Sequence, residues 1–221
     1  MKDRLGQILE ELKEHLPYTL FAALVGVGLL ALINFAAVLT NRQSQLPEAS
    51  RGLFHVFHFS HLFFSAIATT ATFWRHERRF LKTVGIGFFG TVLPCGTSDI
   101  AFPFIGGRIL GVPMVLHICL VQHPLVVLPF VFAGIWVGFV LPPIQRSTFY
   151  SHAVHVLLSS IATMLYLISF GIADWLKFAA LIFLLLFAAV MVPCCTSDII
   201  FPLLFTRRQT VEIPRALHRA V

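Results

Sequence analysis

Charged residues are scarce in this sequence, and their scarcity excludes an ordinary soluble domain. Only 12% of the 221 residues are Asp, Glu, Lys or Arg, whereas 57% are hydrophobic. Soluble domains carry about 25% charged residues. The formal net charge of +6 does not indicate a nucleic-acid-binding protein either. The basic residues flank apolar runs instead of forming a patch, as they do in proteins oriented in a membrane.

Motifs of the common soluble enzymes are also missing. The sequence has no P-loop, no dinucleotide-binding fingerprint of strand, glycine-rich turn and helix, and no GxSxG nucleophile elbow. Its four cysteines lack the spacing of a zinc ribbon or of a secreted disulfide scaffold. We expect one of them, Cys119, to be a small buried core residue. These absences make an enzyme the less favoured class without excluding one.

The N-terminal 15 residues do not resemble a cleavable signal peptide, because acidic and basic side chains are mixed in them. Their apolar residues recur at helical spacing. This pattern predicts an amphipathic helix that lies on the membrane surface.

Long apolar runs are what the sequence has in abundance, and they predict an all-α, polytopic membrane protein. Runs of about 18 or more apolar residues are typical of transmembrane helices. We predict six spans, at residues 17–39, 53–74, 79–94, 123–141, 149–171 and 175–193. With the N-terminus inside, twelve basic residues fall on the inner side and four on the outer side. The positive-inside rule then predicts that both termini lie in the cytoplasm. We expect a protein of the cytoplasmic (inner) membrane, with the lipid bilayer as its partner.

A ten-residue phrase occurs twice in the chain. Residues 94–103 read PCGTSDIAFP and residues 193–202 read PCCTSDIIFP, with eight identities at an offset of 99. Proline interrupts helical hydrogen bonding, and Thr, Ser and Asp favour helix caps. Each phrase is therefore expected to be a broken, re-entrant-like segment inside the membrane.

Other matches extend the duplication to most of the chain. Residues 65–69 (SAIAT) match residues 159–163 (SSIAT) at an offset of 94, and the histidine pair of an HxxH motif is repeated at that same offset. Three spans per repeat is an odd number, so the second repeat would enter the membrane inverted, as in many secondary transporters. We therefore predict a first repeat at 1–107 and a second at 108–221. The second would have a surface helix at 111–122, three spans and a basic tail.

The duplicated motifs bring together groups that bind metals. Residues three apart share a helix face, so each HxxH pair presents two imidazoles to one point near a phrase. Imidazole and thiolate are ligands of zinc, iron, nickel and copper. The candidate metal ligands are His58, His61, His152, His155, Asp99, Asp198, Cys95 and Cys194. The candidate substrate or gate residues are Pro94, Thr97, Ser98, Pro193, Thr196 and Ser197.

Simpler roles compete with these interpretations. Asp99 and Asp198 could each cap a half-helix, and the histidines could bond to neighbouring carbonyls. If the residues do bind an ion, the two halves form either one shared site or two sites in series.

Three functions fit the sequence. The favoured one is a small transporter that moves or binds a divalent transition-metal ion at a His/Asp/Cys site near the membrane centre. Zinc and iron are the favoured ions. The alternative is an intramembrane metal- or haem-dependent enzyme or redox protein that acts on a lipid or quinone. A carrier of a lipid-linked or anionic substrate is the second alternative. We expect no nucleic-acid partner, and a homo-oligomer is compatible with each function.

Overall fold

The computed structural model describes residues 2–140, 145–170 and 175–195, together with Ser197, Phe201 and Phe205. Every regular element in these residues is helical. The α-helices are α1 (Lys2–Leu39), α2 (Leu46–His76), α3 (Phe80–Gly96), α4 (Phe102–Ile109), α5 (Cys119–Gln122), α6 (Pro124–Val140), α7 (Gln145–Phe170) and α8 (Ala179–Cys195). A π-helical turn, Thr97–Ala101, joins α3 to α4, and short 3-10 turns precede α2 at Gln43–Gln45 and α8 at Trp175–Phe178.

The helices have the lengths and compositions of a membrane protein. Among the described residues, four helical stretches are long and apolar enough to cross a bilayer: Leu16–Leu39, Gln43–His76, Phe80–Ile109 and Ala153–Phe170. Two of the predicted spans correspond to shorter apolar helices, Pro124–Val140 and Ala179–Cys194. The prediction of an all-α membrane protein is confirmed, with four helices of full spanning length in the described part of the chain.

Two segments between the long helices differ from the prediction. The N-terminal segment is not a separate surface helix, because α1 continues from Lys2 through Pro17 to Leu39. Pro17 lacks the N–H that would donate to the backbone carbonyl of Lys13. Lys13 is exposed, so another donor can reach that carbonyl. In the predicted surface helix at 111–122, only Cys119–Gln122 is helical. Gly111 has a φ of +78°, a conformation that glycine adopts without strain and that ends the preceding helix.

The first phrase, residues 94–103, does not break its helix as expected. Pro94 lies inside α3, the next residues form the π-helical turn, and Pro103 lies in the first turn of α4. Pro103 lacks an N–H, but the N–H of Phe102 before it still donates to the carbonyl of Thr97, so helical hydrogen bonding continues up to the proline. The π-helical turn thus separates two helices that remain in one continuous stretch, and such turns are frequent at functional sites.

Helix α2 lies at the centre of the bundle. It packs against α3, α6 and α7, and α7 packs in addition against α1 and α8. Small residues let membrane helices approach closely. Both α2 and α7 carry runs of small buried residues, which are Ser65, Ala66, Ala68 and Thr69 on α2 and Ser159, Ser160, Ala162 and Thr163 on α7.

Two glycines allow the neighbouring helices to approach this central pair. A Cβ atom on Gly134 of α6 would collide with the backbone carbonyl of Phe63 and with Ala66 on α2. A Cβ atom on Gly26 of α1 would press against Ser160 of α7. The close packing therefore brings hydroxyl and imidazole side chains from several helices into the interior.

Candidate metal centre

The π-helical turn carries a fully buried carboxylate, Asp99. Its Oδ2 lies 2.8 Å from Nδ1 of His58 and 2.6 Å from Nδ1 of His61. Its Oδ1 accepts hydrogen bonds from the hydroxyl groups of Ser98, at 2.8 Å, and Ser159, at 2.9 Å. A buried charge is tolerated only when it is paired and hydrogen-bonded. These four partners meet that requirement, and the five residues are named the carboxylate cluster.

Asp99 determines which nitrogen of each imidazole is left for another partner. A neutral imidazole that donates its Nδ1–H keeps a lone pair on Nε2. Metal-bound histidines usually have this arrangement, with the second ring nitrogen donating to a carboxylate or carbonyl. Nε2 of His61 is therefore oriented for a ligand role.

Two thiols and another imidazole surround Nε2 of His61. Sγ of Cys95 lies 3.5 Å from this nitrogen and Sγ of Cys194 lies 3.8 Å from it. The ring centroids of His61 and His155 are 4.5 Å apart. One ligand atom from each of His61, Cys95 and His155 lies within 4.8 Å of the other two. These three residues are named the thiol–imidazole cluster.

The spacing in this cluster fits a metal ion. With Zn–N about 2.0 Å and Zn–S about 2.3 Å, tetrahedral nitrogen and sulfur ligands stand about 3.5 Å apart. Helices α2, α3, α7 and α8 each contribute one of the four thiol and imidazole side chains. Those side chains are fully buried: His61, Cys95, His155 and Cys194.

Hydroxyl groups on α7 hold the first phrase in place. The hydroxyl of Ser159 lies 3.3 Å from that of Ser98, and Thr163 donates a hydrogen bond of 3.2 Å to the backbone carbonyl of Ser98. The hydroxyl of Ser98 itself donates to the carbonyl of Cys95 as well as to Asp99. Helix α7 therefore fixes the turn that presents the carboxylate.

Hydroxyl groups on α2 hold Ser197 of the second phrase in the same way. The hydroxyl of Ser65 lies 3.0 Å from that of Ser197, and Thr69 donates a hydrogen bond of 3.3 Å to the backbone carbonyl of Ser197. Ser197 also donates to the carbonyl of Gly90. That carbonyl has no helical donor because Pro94, four residues on, lacks an N–H.

Cys119 lies close to the carboxylate but takes the structural role expected of it. It is fully buried in the hydrophobic core. Burial raises the pKa of its thiol to about 12, with a smaller contribution from the negative charge of Asp99. A thiol that remains protonated is a poor metal ligand and a poor nucleophile.

The structure brings most of the predicted ligands to one place. The residues that gather there are His58, His61, Asp99, Cys95, His155 and Cys194. Of the predicted gate residues, Ser98 joins the carboxylate cluster, whereas Thr97 donates to the backbone carbonyl of Leu93. Pro94 and Pro193 are buried in α3 and α8. The side chain of His152, together with Thr196 and Asp198, lies outside the described residues.

Sequence reasoning missed the hydroxyl residues that hold the two phrases. Their signal was present, because hydroxyl residues four apart lie on one face of a helix and occur in both copies of the repeated SAIAT and SSIAT stretch. The residues concerned are Ser65, Thr69, Ser159 and Thr163.

Comparisons with protein-family models, with curated proteins and with solved structures found no match for this chain. Its function is therefore inferred from the chemistry of the buried side chains.

Proposed function

We propose that this protein is a small integral-membrane transporter that moves a divalent transition-metal ion through the thiol–imidazole cluster, with zinc and iron as the favoured ions. The observation that supports this most strongly is the convergence of thiols and imidazoles around Nε2 of His61. Mixed imidazole and thiolate ligands are typical of late transition metals, whereas magnesium and calcium prefer oxygen. Four separate helices supply these groups, so a movement of the helices would change the coordination.

Each residue has a separate role in this proposal. His61, Cys95 and His155 bind the ion, and Cys194, whose Sγ lies 3.8 Å from Nε2 of His61, lies beside the fourth position. Asp99 orients His61 and His58 by accepting their Nδ1–H groups at Oδ2, while its Oδ1 is occupied by the hydroxyl groups of Ser98 and Ser159. A three-ligand site with an open fourth position can exchange its ion, in contrast to the closed sites of structural zinc.

We further propose that the six apolar helices form two inverted repeats around this site. Helix α1 packs on α7 as α6 packs on α2, α2 packs on α3 as α7 packs on α8, and α1 packs on α8 as α6 packs on α3. These pairings are those of a two-fold arrangement in which the second repeat reproduces the first. The thiol–imidazole cluster would then be one shared site at the repeat interface, where secondary transporters bind their substrates.

The proposed site links ion movement to proton movement. A cysteine thiol must release its proton to bind the ion, so metal and proton compete for the same lone pair. Alternating access would come from rocking of one repeat against the other. Ser98 contacts α7 and Ser197 contacts α2, so both contacts cross between the proposed repeats and would change in such rocking. The distribution of basic residues supports an orientation with both termini in the cytoplasm.

An intramembrane metalloenzyme is the second candidate function. It is favoured by one observation, that the thiol–imidazole cluster offers three ligands within 4.8 Å of one another. Three protein ligands with an open fourth position for water are typical of catalytic zinc. An enzyme would hold its ion tightly and stoichiometrically without carrying it across the bilayer.

Zinc and ferrous iron uptake into proteoliposomes tests the transport proposal. The wild-type protein should accelerate uptake over protein-free vesicles, and His61→Ala should abolish that acceleration. His76→Ala is the matched control, since His76 is an exposed residue of α2 whose ring bonds to the carbonyl of Thr72 in its own helix. No acceleration by correctly folded wild-type protein, with either ion and either direction of the gradient, would contradict transport. A tightly bound ion without flux would favour the enzyme.

A further inference from the structure

Three other imidazoles gather at one end of α2, apart from both buried clusters. Nε2 of His55 lies 2.9 Å from Nε2 of His117. The ring centroid of His123 lies 5.1 Å from that of His55 and 5.6 Å from that of His117. One ligand nitrogen from each residue lies within 4.8 Å of the other two. These residues are named the peripheral histidine cluster.

We propose that the peripheral histidine cluster is a second binding site for a divalent transition-metal ion, held by three imidazoles with water in the remaining position. Three histidines and one water form an established zinc coordination. With Zn–N about 2.0–2.1 Å, tetrahedral nitrogen ligands stand about 3.3 Å apart. The present separations, 2.9 Å between Nε2 of His55 and Nε2 of His117 and at most 4.8 Å among the three ligand nitrogens, lie on either side of that distance.

The cluster is accessible without any movement of the bundle. His123 is exposed and His55 is half-buried, whereas His117 is 9% exposed. Exposure thus decreases from His123 through His55 to His117, so the cluster extends from the protein surface into the interior. An ion can therefore bind to the outer rings first, in contrast to the fully buried thiol–imidazole cluster.

The irregular segment before α5 is fixed in a way that positions His117. The backbone N–H of His117 donates to Oη of Tyr166 at 3.1 Å, and that hydroxyl donates to the carbonyl of Val115 at 3.0 Å. The ring of His117 stacks on Phe170 with centroids 5.2 Å apart. Loop backbone and ring are thus both held by α7, which reduces the entropy cost of forming a site.

The ligand set predicts weaker binding here than at the buried cluster. All three ligands are neutral imidazoles, whereas the thiol–imidazole cluster can supply a thiolate. The guanidinium group of Arg51 lies 5.2 Å from the ring centroid of Phe170, on which His117 stacks. A nearby positive charge disfavours a cation, so we expect an ion to exchange rapidly at this site.

Helix α2 connects the two sites. His55, His58 and His61 follow at intervals of three residues, so each is a neighbour of the next on the helix surface. Six residues of α-helix rise about 9 Å. His58 lies between the sites, stacked on Phe54 with centroids 5.3 Å apart and held to Asp99. A role as an entry or exit site in series with the buried cluster rests on the proposed function, whereas metal binding at the peripheral cluster does not.

Cobalt titration of the full-length protein in detergent separates the two sites, because Co²⁺ bound to a thiolate gives a strong sulfur-to-metal charge-transfer band. Cobalt bound to imidazole and water gives only weaker ligand-field bands. The wild-type protein should bind two ions. His123→Ala, which changes an exposed side chain, should retain the charge-transfer band and lose one ion or bind it at least about tenfold more weakly, since each lost ligand removes favourable binding energy.

The other variants make the result specific. His61→Ala should lose the charge-transfer band and retain the ion that His123→Ala loses, and His76→Ala should match the wild type. Wild-type stoichiometry and affinity in His123→Ala would overturn the peripheral site. A wild-type protein that lacks the charge-transfer band, but whose ligand-field absorption depends on His123, would contradict the buried site and leave the peripheral one standing.

Discussion

Oδ2 of Asp99 lies 2.6 Å from Nδ1 of His61, in a part of the bundle that exposes neither side chain. The contact separates the buried residue that orients an imidazole ring, Asp99, from the residues that would bind the metal ion. Asp99 occupies one nitrogen of the ring and leaves the other facing Cys95 and Cys194. This division of roles leads to the first prediction.

Asp99→Asn should weaken metal binding without removing any proposed ligand. The amide oxygen of asparagine is a poorer acceptor than a carboxylate for the two Nδ1–H groups. The amide NH₂ group would also face either the two Nδ1–H donors or the two hydroxyl donors. Loss of such orienting groups typically lowers metal affinity about 10–100-fold. Competition with a zinc chelator of known affinity measures the change. Glu77→Gln, which neutralises a carboxylate just after the C-terminal end of α2, is the control, and equal affinities in both variants would contradict the orienting role.

Ser197→Ala should destabilise the protein. Its hydroxyl contacts the hydroxyl groups of Ser65 and Thr69. It also donates to the carbonyl of Gly90, which has no helical donor because Pro94 lacks an N–H. Leaving buried polar groups without a partner costs about 1–3 kcal/mol, which thermal unfolding in detergent can detect. Ser60→Ala is the matched control because the hydroxyl of Ser60 bonds within its own helix, to the carbonyl of Val56. A melting temperature equal to that of Ser60→Ala would count against this cross-helix contact.

Gly134→Ala and Gly28→Ala should change stability in opposite directions. A methyl group on Gly134 would collide with Phe63 and Ala66 of α2, whereas no atom of the described residues lies within 4 Å of one on Gly28. Overpacking costs about 1–3 kcal/mol, whereas alanine stabilises an open helical position by about 0.5–1 kcal/mol. Thermal unfolding of the two variants against the wild type checks the signs. Equal shifts in the same direction would contradict the close approach of α6 to α2.

Cys119 should resist alkylation in the folded protein. Its pKa is raised to about 12, so at pH 8 only about 1 in 10,000 of these thiols is ionised, and the thiolate is the reactive form. As the pH rises toward that pKa, the ionised fraction grows about tenfold per unit. Maleimide labelling followed by peptide mass spectrometry should find Cys119 modified only after unfolding. Rapid modification of the native protein at pH 8 would contradict the burial and its effect on the pKa.

The sequence alone predicted the helical membrane class and much of the buried site. Long apolar runs predicted the spans, and the order of those spans placed His58 and His61, at the start of one span, on the same side of the membrane as Asp99 and Cys95 at the end of the next. The meeting of His61 with His155 and Cys194 required tertiary structure, because it depends on how α2, α7 and α8 pack. Spacing along one chain does not determine that packing.

Local backbone chemistry explains where the prediction was wrong. Two prolines in residues 94–103 suggested a broken helix, but the π-helical turn and the first turn of α4 accommodate Pro103 within a continuous helical stretch. The peripheral histidine cluster was missed for a different reason. His55 lacks a histidine at its repeat counterpart, Phe149, and its partners His117 and His123 come from a distant segment.

X-ray absorption at the zinc edge tests the central claim most directly, with one equivalent of zinc bound to the His123→Ala variant so that the peripheral cluster does not contribute. The proposed site predicts a mixed first shell, with sulfur at about 2.3 Å and imidazole nitrogen at about 2.0–2.1 Å. The sulfur contribution should decrease in the same protein with Cys95→Ser. A first shell of only nitrogen and oxygen, unchanged by Cys95→Ser, would contradict a metal ion bound between Cys95 and His61.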